Sequence, residues 1–264
     1  MLKEFFGVGG YLREAEGFLS WQHLTFVSAL MVCMIVLAVV LAGRSRKRGP
    51  QSCSRVLMTA ALLMDAVEIA KILIRCQISG DWMAWLEELP LYLCSIQLIT
   101  LPLAAFARGR IREAAVDFVA LFGLLGAVMG TYCAGNNYSC YPVLSYTNVF
   151  SGVTHSIAGF AALFVVLTGM ARMHRRNIPI TCAILLGFGA AALAANLLLD
   201  TNYMFLMAGD GTPYDILYNL VSGNPVLYPI GVMGLFFLYI ALVYGGCSLV
   251  RKHRKGSKDH DCAC

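Results

Sequence analysis

The chain has 264 residues, 59% of them hydrophobic and 13% charged, with 20 Lys and Arg against 15 Asp and Glu for a formal net charge of +5. Soluble domains hold about 45–50% apolar and about 25% charged residues, so soluble, disordered, collagen-like and small disulfide-scaffold classes are excluded. The apolar excess is gathered into runs of about 20 residues, the length that crosses a hydrocarbon core of about 30 Å.

Residues 1–23 carry Glu4, Glu14 and Glu16 and lack the apolar core of a cleaved signal peptide. Phe5, Phe6, Tyr11, Phe18 and Trp21 suit an interfacial, extracytoplasmic segment at headgroup level. Seven apolar runs then follow, at 24–43, 56–75, 89–107, 114–135, 149–171, 180–200 and 225–250. The second is the least apolar, because it holds Asp65, Glu68 and Lys71. None of the runs alternates at period two, which excludes a barrel. The expected fold is all-α: a polytopic membrane protein with seven transmembrane helices over 24–250 and a basic cytoplasmic tail over 251–264.

Orientation follows from the connections. Arg44, Arg46, Lys47, Arg48 and Arg55 crowd the 44–55 loop; Arg108, Arg110 and Arg112 the next alternate turn; Arg172, Arg175 and Arg176 the one after. The tail adds Arg251, Lys252, Arg254, Lys255 and Lys258. The intervening segments are acidic or uncharged, so the N-terminus is expected outside and the C-terminus inside. The net positive charge is then a topology signal and not a nucleic-acid footprint. Of the ten cysteines, Cys133 and Cys140 flank one outer loop and are a candidate pair in an oxidising compartment. The terminal DHDCAC reads as a solvated tail, with metal binding or lipidation as alternatives. No metal site and no cofactor is expected elsewhere.

Intramembrane polar groups are expensive and usually face a cavity or a partner. At a rise of about 1.5 Å per residue, Cys94, His155 and Glu68 fall about 8, 9 and 10 Å from the outer side, in one layer with Lys71, Asn196, Asp200 and His23. On helical wheels Cys94 pairs with Gln97, and Asn148 with Ser151 and His155. Without further information each has a plain structural reading: Glu68–Lys71 as an intrahelical ion pair, a lone Cys as packing, a lone His as an interhelical donor, Tyr203 as an interfacial aromatic.

LPLYLCSIQL (89–98), the THS of 154–156 and TNYMFL (201–206), with QHL at 22–24, occur in an order that resembles the bacterial YwaF-like integral membrane proteins, which group with the transmembrane-protein-164 family of eukaryotes. The resemblance covers about residues 20 to 250. It implies a cysteine-dependent acyltransferase acting on phospholipid or lysophospholipid, with Cys94 carrying the acyl group and His155 as its partner. The family motif reads LPLHLC where this chain has Tyr92. In that chemistry a His base generates the thiolate, and Lys71, Asn148, Asn196 or Asn202 are candidate oxyanion donors. Glu68 either orients a His or neutralises Lys71. A site near the outer face is remote from acyl-CoA and ATP, which favours a bilayer lipid as acyl donor and needs no cofactor. The competing reading is a seven-helix transporter or receptor-like protein binding a small polar ligand in the same chamber. In a bacterium the location would be the plasma membrane.

Overall fold

The computed structural model describes the backbone of residues 2–261 and the side chains of residues 3–252. The side chains of the terminal DHDCAC, and with them its metal or lipid reading, lie outside the described residues. Among the described residues ten α-helices follow one another with three short 3-10 turns: α1 (Leu2–Phe6), α2 (Trp21–Arg48), α3 (Pro50–Ser79), α4 (Gln97–Phe106), α5 (Gly109–Tyr132), α6 (Gly135–Cys140), α7 (Tyr146–Leu167), α8 (Ile178–Leu199), α9 (Tyr214–Leu220) and α10 (Leu227–Asp261). Five of the helical stretches are long and apolar enough to cross a membrane, namely Trp21–Arg48, Gly109–Cys140, Tyr146–Leu167, Arg175–Leu199 and Leu227–Lys252. The chain is therefore a multi-pass helical membrane protein.

Helix boundaries have local causes. The Ser20 hydroxyl accepts from His23 N–H at 3.2 Å and caps α2. Helix α2 does not stop at the expected 44–55 loop. It runs on through Arg46, Lys47 and Arg48, good helix formers that also suit the negative end of the helix dipole. Gly49 alone makes the turn, at φ +95°, and Pro50 opens α3 at a position where its missing N–H costs nothing. The Ser145 hydroxyl caps α7 by accepting from Asn148 N–H at 3.3 Å.

The third expected span departs most from the sequence reading. Its helix covers only Gln97–Phe106, ten residues, while 89–96 is a chain of turns. Pro90 supplies no N–H, and Leu91 N–H bonds back to Leu89 at 2.7 Å instead of extending a helix. Cys94 thus lies in non-helical backbone ahead of a half-length helix. The wheel that paired it with Gln97 is replaced by a direct turn bond from Gln97 N–H to the Cys94 carbonyl at 3.2 Å.

Helices α5 and α7 make the most extensive pairing in the bundle, with α2 and α3 against α7 and α4 against α5. Small residues allow the close approach: a Cβ on Gly123 would meet the Ala158 carbonyl at 2.7 Å, and one on Gly159 would meet Ala127 at 2.7 Å. The largest apolar core lies between α5, α8 and α10, around Phe118, Phe122, Tyr228, Phe236 and Tyr244. At the basic end of the bundle a buried polar knot ties these helices together. Asp117 accepts from Met173 N–H at 3.0 Å, Asn177 Nδ2 at 2.8 Å and the Tyr244 hydroxyl at 3.0 Å.

Candidate active site

The segment that carries Cys94 is held from both ends. Gly80, in the left-handed region at φ +68°, ends α3, and the Asp81 carboxylate caps the 3-10 turn Trp82–Glu88 by accepting from Met83 N–H at 2.8 Å. The Tyr203 hydroxyl then donates to the Leu86 carbonyl at 2.7 Å and accepts from Leu89 N–H at 3.3 Å. Its ring meets that of Tyr92 edge-on at 5.0 Å, and Phe205 lies 6.1 Å from Tyr92. LPLYLC and NYMFL, more than a hundred residues apart in the chain, are therefore one packed unit. Burial pushes the Tyr203 phenol above its ordinary pKa, so it stays a neutral donor. Asn196 holds Tyr203 in turn: its Oδ1 accepts from Tyr203 N–H at 2.6 Å and its Nδ2 donates to the Tyr203 carbonyl at 3.0 Å.

His155 projects from the middle of α7. Its Nδ1 lies 2.7 Å from the Ser151 carbonyl and 3.3 Å from the Ser151 hydroxyl. A carbonyl accepts only, so Nδ1 carries a proton, and in the neutral ring Nε2 presents a lone pair. That Nε2 is buried and makes no hydrogen bond among the described residues. The Cys94 side chain is a neighbour of the imidazole. Both side chains rest on one glycine face of α5: a Cβ at Gly130 would fall 2.0 Å from His155 Nε2, and one at Gly126 would fall 3.2 Å from Cys94 Cβ. The two glycines are one turn apart, and their missing side chains make the space in which thiol and imidazole meet.

Beside this pair runs a chain of ions. Lys71 Nζ lies 2.6 Å from Glu68 and 3.0 Å from Glu88, Arg75 lies 2.5 Å from Glu88, and Arg75 also pairs with Glu87. Glu68 therefore neutralises Lys71 and does not orient a histidine.

Three carboxylates meet two cations here, which makes the substitutions unequal. Lys71→Met leaves Glu68 without a partner in a low-dielectric layer and is expected to lower folded yield strongly; losing one member of a buried pair costs about 3–5 kcal/mol, less here because solvent reaches part of the chain. Glu68→Gln leaves two carboxylates facing two cations and is expected to be mild. The double substitution should recover part of the Lys71→Met loss, read as the monodisperse fraction in detergent. A double variant no better than Lys71→Met would show that the two residues are independent.

The other expected site residues are engaged elsewhere. His23 is wholly buried, accepts from Leu19 N–H at Nδ1 (3.1 Å), donates from Nε2 to the Thr131 carbonyl (3.0 Å) and stacks on Tyr138 at 3.8 Å, so neither ring nitrogen is free. Asn148 Nδ2 donates to the Tyr141 and Pro142 carbonyls at 3.2 and 3.0 Å. Asn202 Nδ2 donates to Ala208 and Asp210, which caps its own loop. With Asn196 bound to Tyr203, all three asparagines hold backbone and offer no spare donor pair. Gln97 differs: it is wholly buried, its Oε1 accepts from the Thr100 hydroxyl at 3.2 Å, and its Nε2 has no partner among the described residues. Cys133 and Cys140 are free and exposed.

Sequence reasoning missed Glu88, Gly126 and Gly130 as parts of the site. The acidic pair just before LPLYLC and the GLLGAVMG spacing of 123–130 were the available signals.

The TMEM164 family model matches residues 18–244 of the chain, and the chain belongs to that family. Neither a curated protein nor a solved structure matches it.

Proposed function

We propose that this member of the TMEM164 family, which we assign to its YwaF-like branch, is a membrane-embedded acyltransferase of lipid metabolism that moves phospholipid acyl chains through a Cys94 thioester. The observation that carries the reading is the His155 lone pair at Nε2, buried, unpartnered and beside a thiol, with the opposite nitrogen fixed by Ser151. A thiol in apolar surroundings is inert unless a base removes its proton, and this arrangement supplies the base.

In the proposed reaction His155 Nε2 takes the Cys94 proton and the thiolate attacks the carbonyl carbon of a glycerolipid ester. The tetrahedral intermediate collapses as the ester C–O bond breaks, and the lysolipid oxygen leaves with the proton from the imidazolium. A second lysolipid hydroxyl, or water, then gives its proton to Nε2 and attacks the thioester, which returns the thiol. No cofactor enters the balance. The oxyanion is assigned to Gln97 Nε2, a buried donor three residues after Cys94 that has no partner among the described residues. The dipole of α4, whose positive end opens just after Cys94, favours the same charge.

The same reading places seven passes in the bilayer. The 30 residues of α3 are long enough to span, and its charges are offset by the ion chain; the third pass is completed by the turns of 89–96 ahead of α4. Non-helical backbone at membrane depth is tolerated where it is buried in protein and lines a site. The basic ends at 44–55, 108–112, 172–176 and the tail are assigned to the cytoplasm, and Cys94 and His155 to the outer half. An alkaline-phosphatase fusion after residue 252 should be silent and one within 136–147 active; the reverse pattern overturns the orientation.

Incubation of the purified protein with a labelled phospholipid tests the chemistry. A hydroxylamine-sensitive acyl adduct on Cys94, located by mass spectrometry, is the expected result. Absence of any adduct with wild-type protein that still turns over lipid would overturn the thioester route, and absence of both adduct and turnover favours the ligand-binding alternative.

A further inference from the structure

We propose that a cleft at the basic end of the bundle is a binding site for a phosphate ester that also carries a hydroxyl or ammonium donor, the chemistry of a glycerophosphate headgroup. The cleft holds about 540 Å³, a size typical of small-molecule sites. It is bounded by the ends of α2, α3, α5 and α7 and by the segment that leads into α8. Asp117 in its wall is thirteen residues, about 20 Å, along α5 from Gly130, so this cleft is separate from the Cys94–His155 pair.

Charge is the first argument. Arg46, Arg112 and Arg172 line the cleft, and among the described residues none of them has a carboxylate partner. Arg112 is also held in place: its Nε donates to the Ala104 carbonyl and a terminal nitrogen donates to the Ser54 hydroxyl, both at 3.2 Å. The guanidinium is positioned without being neutralised. The two carboxylates of the wall are already used, Asp117 by its three donors and Glu113 by Arg176 at 2.8 Å. Positioned guanidinium groups without carboxylate partners match the geometry of phosphate oxygens.

The second argument comes from Asn177, which is 1% exposed and also lines the cleft. Its Nδ2 donates to Asp117 Oδ2 at 2.8 Å, which sets the orientation of the amide. Its Oδ1 is then a buried acceptor with no partner among the described residues. Native structures rarely leave such a group unpaired. An acceptor repels phosphate oxygens, so an occupant that also brings an O–H or N–H suits this wall better than one that does not. Phosphate for the arginines and a donor for Asn177 are both present in a glycerol or ethanolamine phosphoester, and a choline headgroup lacks the donor.

The test uses the full chain in detergent, with binding read by native mass spectrometry and by thermal shift. Three probes separate the chemistry from its source: phosphatidylglycerol, phosphatidylcholine and soluble glycerol 3-phosphate. Phosphatidylglycerol or glycerol 3-phosphate should be held at least tenfold more tightly than phosphatidylcholine, and whichever of the two binds identifies a lipid or a soluble source. Arg112→Gln should weaken that binding at least tenfold. Arg172→Gln, an exposed substitution on a connecting segment, should weaken it as well and serves if Arg112→Gln fails to fold. Binding that is the same for phosphatidylcholine, or that is indifferent to both arginine substitutions, overturns the proposal, as does the absence of binding by either donor-bearing probe.

Discussion

Cys94→Ala and His155→Ala are each expected to bring acyl transfer to the same floor, at least about 10³-fold below wild type, and the double variant should fall no further. General-base catalysis alone contributes about 10²–10⁴-fold, and a nucleophile has nothing to do without its base. Residues that act as one unit lose their joint contribution with the first substitution, so strong non-additivity is the signature of the pair. Additive losses would mean that thiol and imidazole act in separate steps. A Cys94→Ala protein that exchanges acyl chains at the wild-type rate would remove the enzymatic reading altogether. Neither side chain holds other elements together: among the described residues Cys94 makes no side-chain hydrogen bond to another helix, and the His155 bond to Ser151 stays within its own helix. Folded yield should therefore change little, and the loss can be read as chemistry.

Gly130→Ala should reduce activity about 10²-fold with both reacting residues still present, because misplacing a reacting group by about 1 Å has that cost. The added Cβ would stand 2.0 Å from His155 Nε2, so the imidazole must rotate away or α5 and α7 must separate. Overpacking of this kind costs about 1–3 kcal/mol. Gly187→Ala in α8 is the control, since a Cβ there meets nothing within 4 Å and a helical Gly→Ala change is neutral or stabilising. Gly126→Ala is expected to be milder than Gly130→Ala, because its Cβ would reach Cys94 Cβ at 3.2 Å, a contact that small shifts relieve. A Gly130→Ala protein with wild-type turnover would mean that the imidazole does not need the space this glycine leaves.

Much of the architecture was legible in the one-dimensional pattern. Runs of about 20 apolar residues can only be satisfied as helices in a hydrocarbon layer, so an all-helical, multi-pass membrane fold follows from composition. The LPLYLC, THS and NYMFL motifs pointed to Cys94, His155 and Tyr203 as candidate site residues, and the charge pattern of 65–75 marked the helix that needs partners.

Tertiary structure decided everything that depends on who meets whom. Periodicity made 89–107 a continuous helix, whereas Tyr203, from a loop more than a hundred residues later, takes up Leu86 and Leu89 backbone groups and lets 89–96 run as turns. Glu68 looked free to serve a histidine until Glu88 and Lys71 closed an ion chain around it. Asn148, Asn196 and Asn202 are indistinguishable from Gln97 as donors in a sequence, yet the asparagines spend their amides on nearby backbone and Gln97 keeps Nε2 unpaired. The role of Gly126 and Gly130 is the clearest case. A glycine in a helix says only that something comes close, and it takes the packing of α5 on α7 to show that the visitors are a thiol and an imidazole. Burial and helicity are properties of a chain's own pattern, but a hydrogen-bond vacancy depends on every neighbour at once. That is why the membrane fold could be read from the residues alone and the state of each polar group could not.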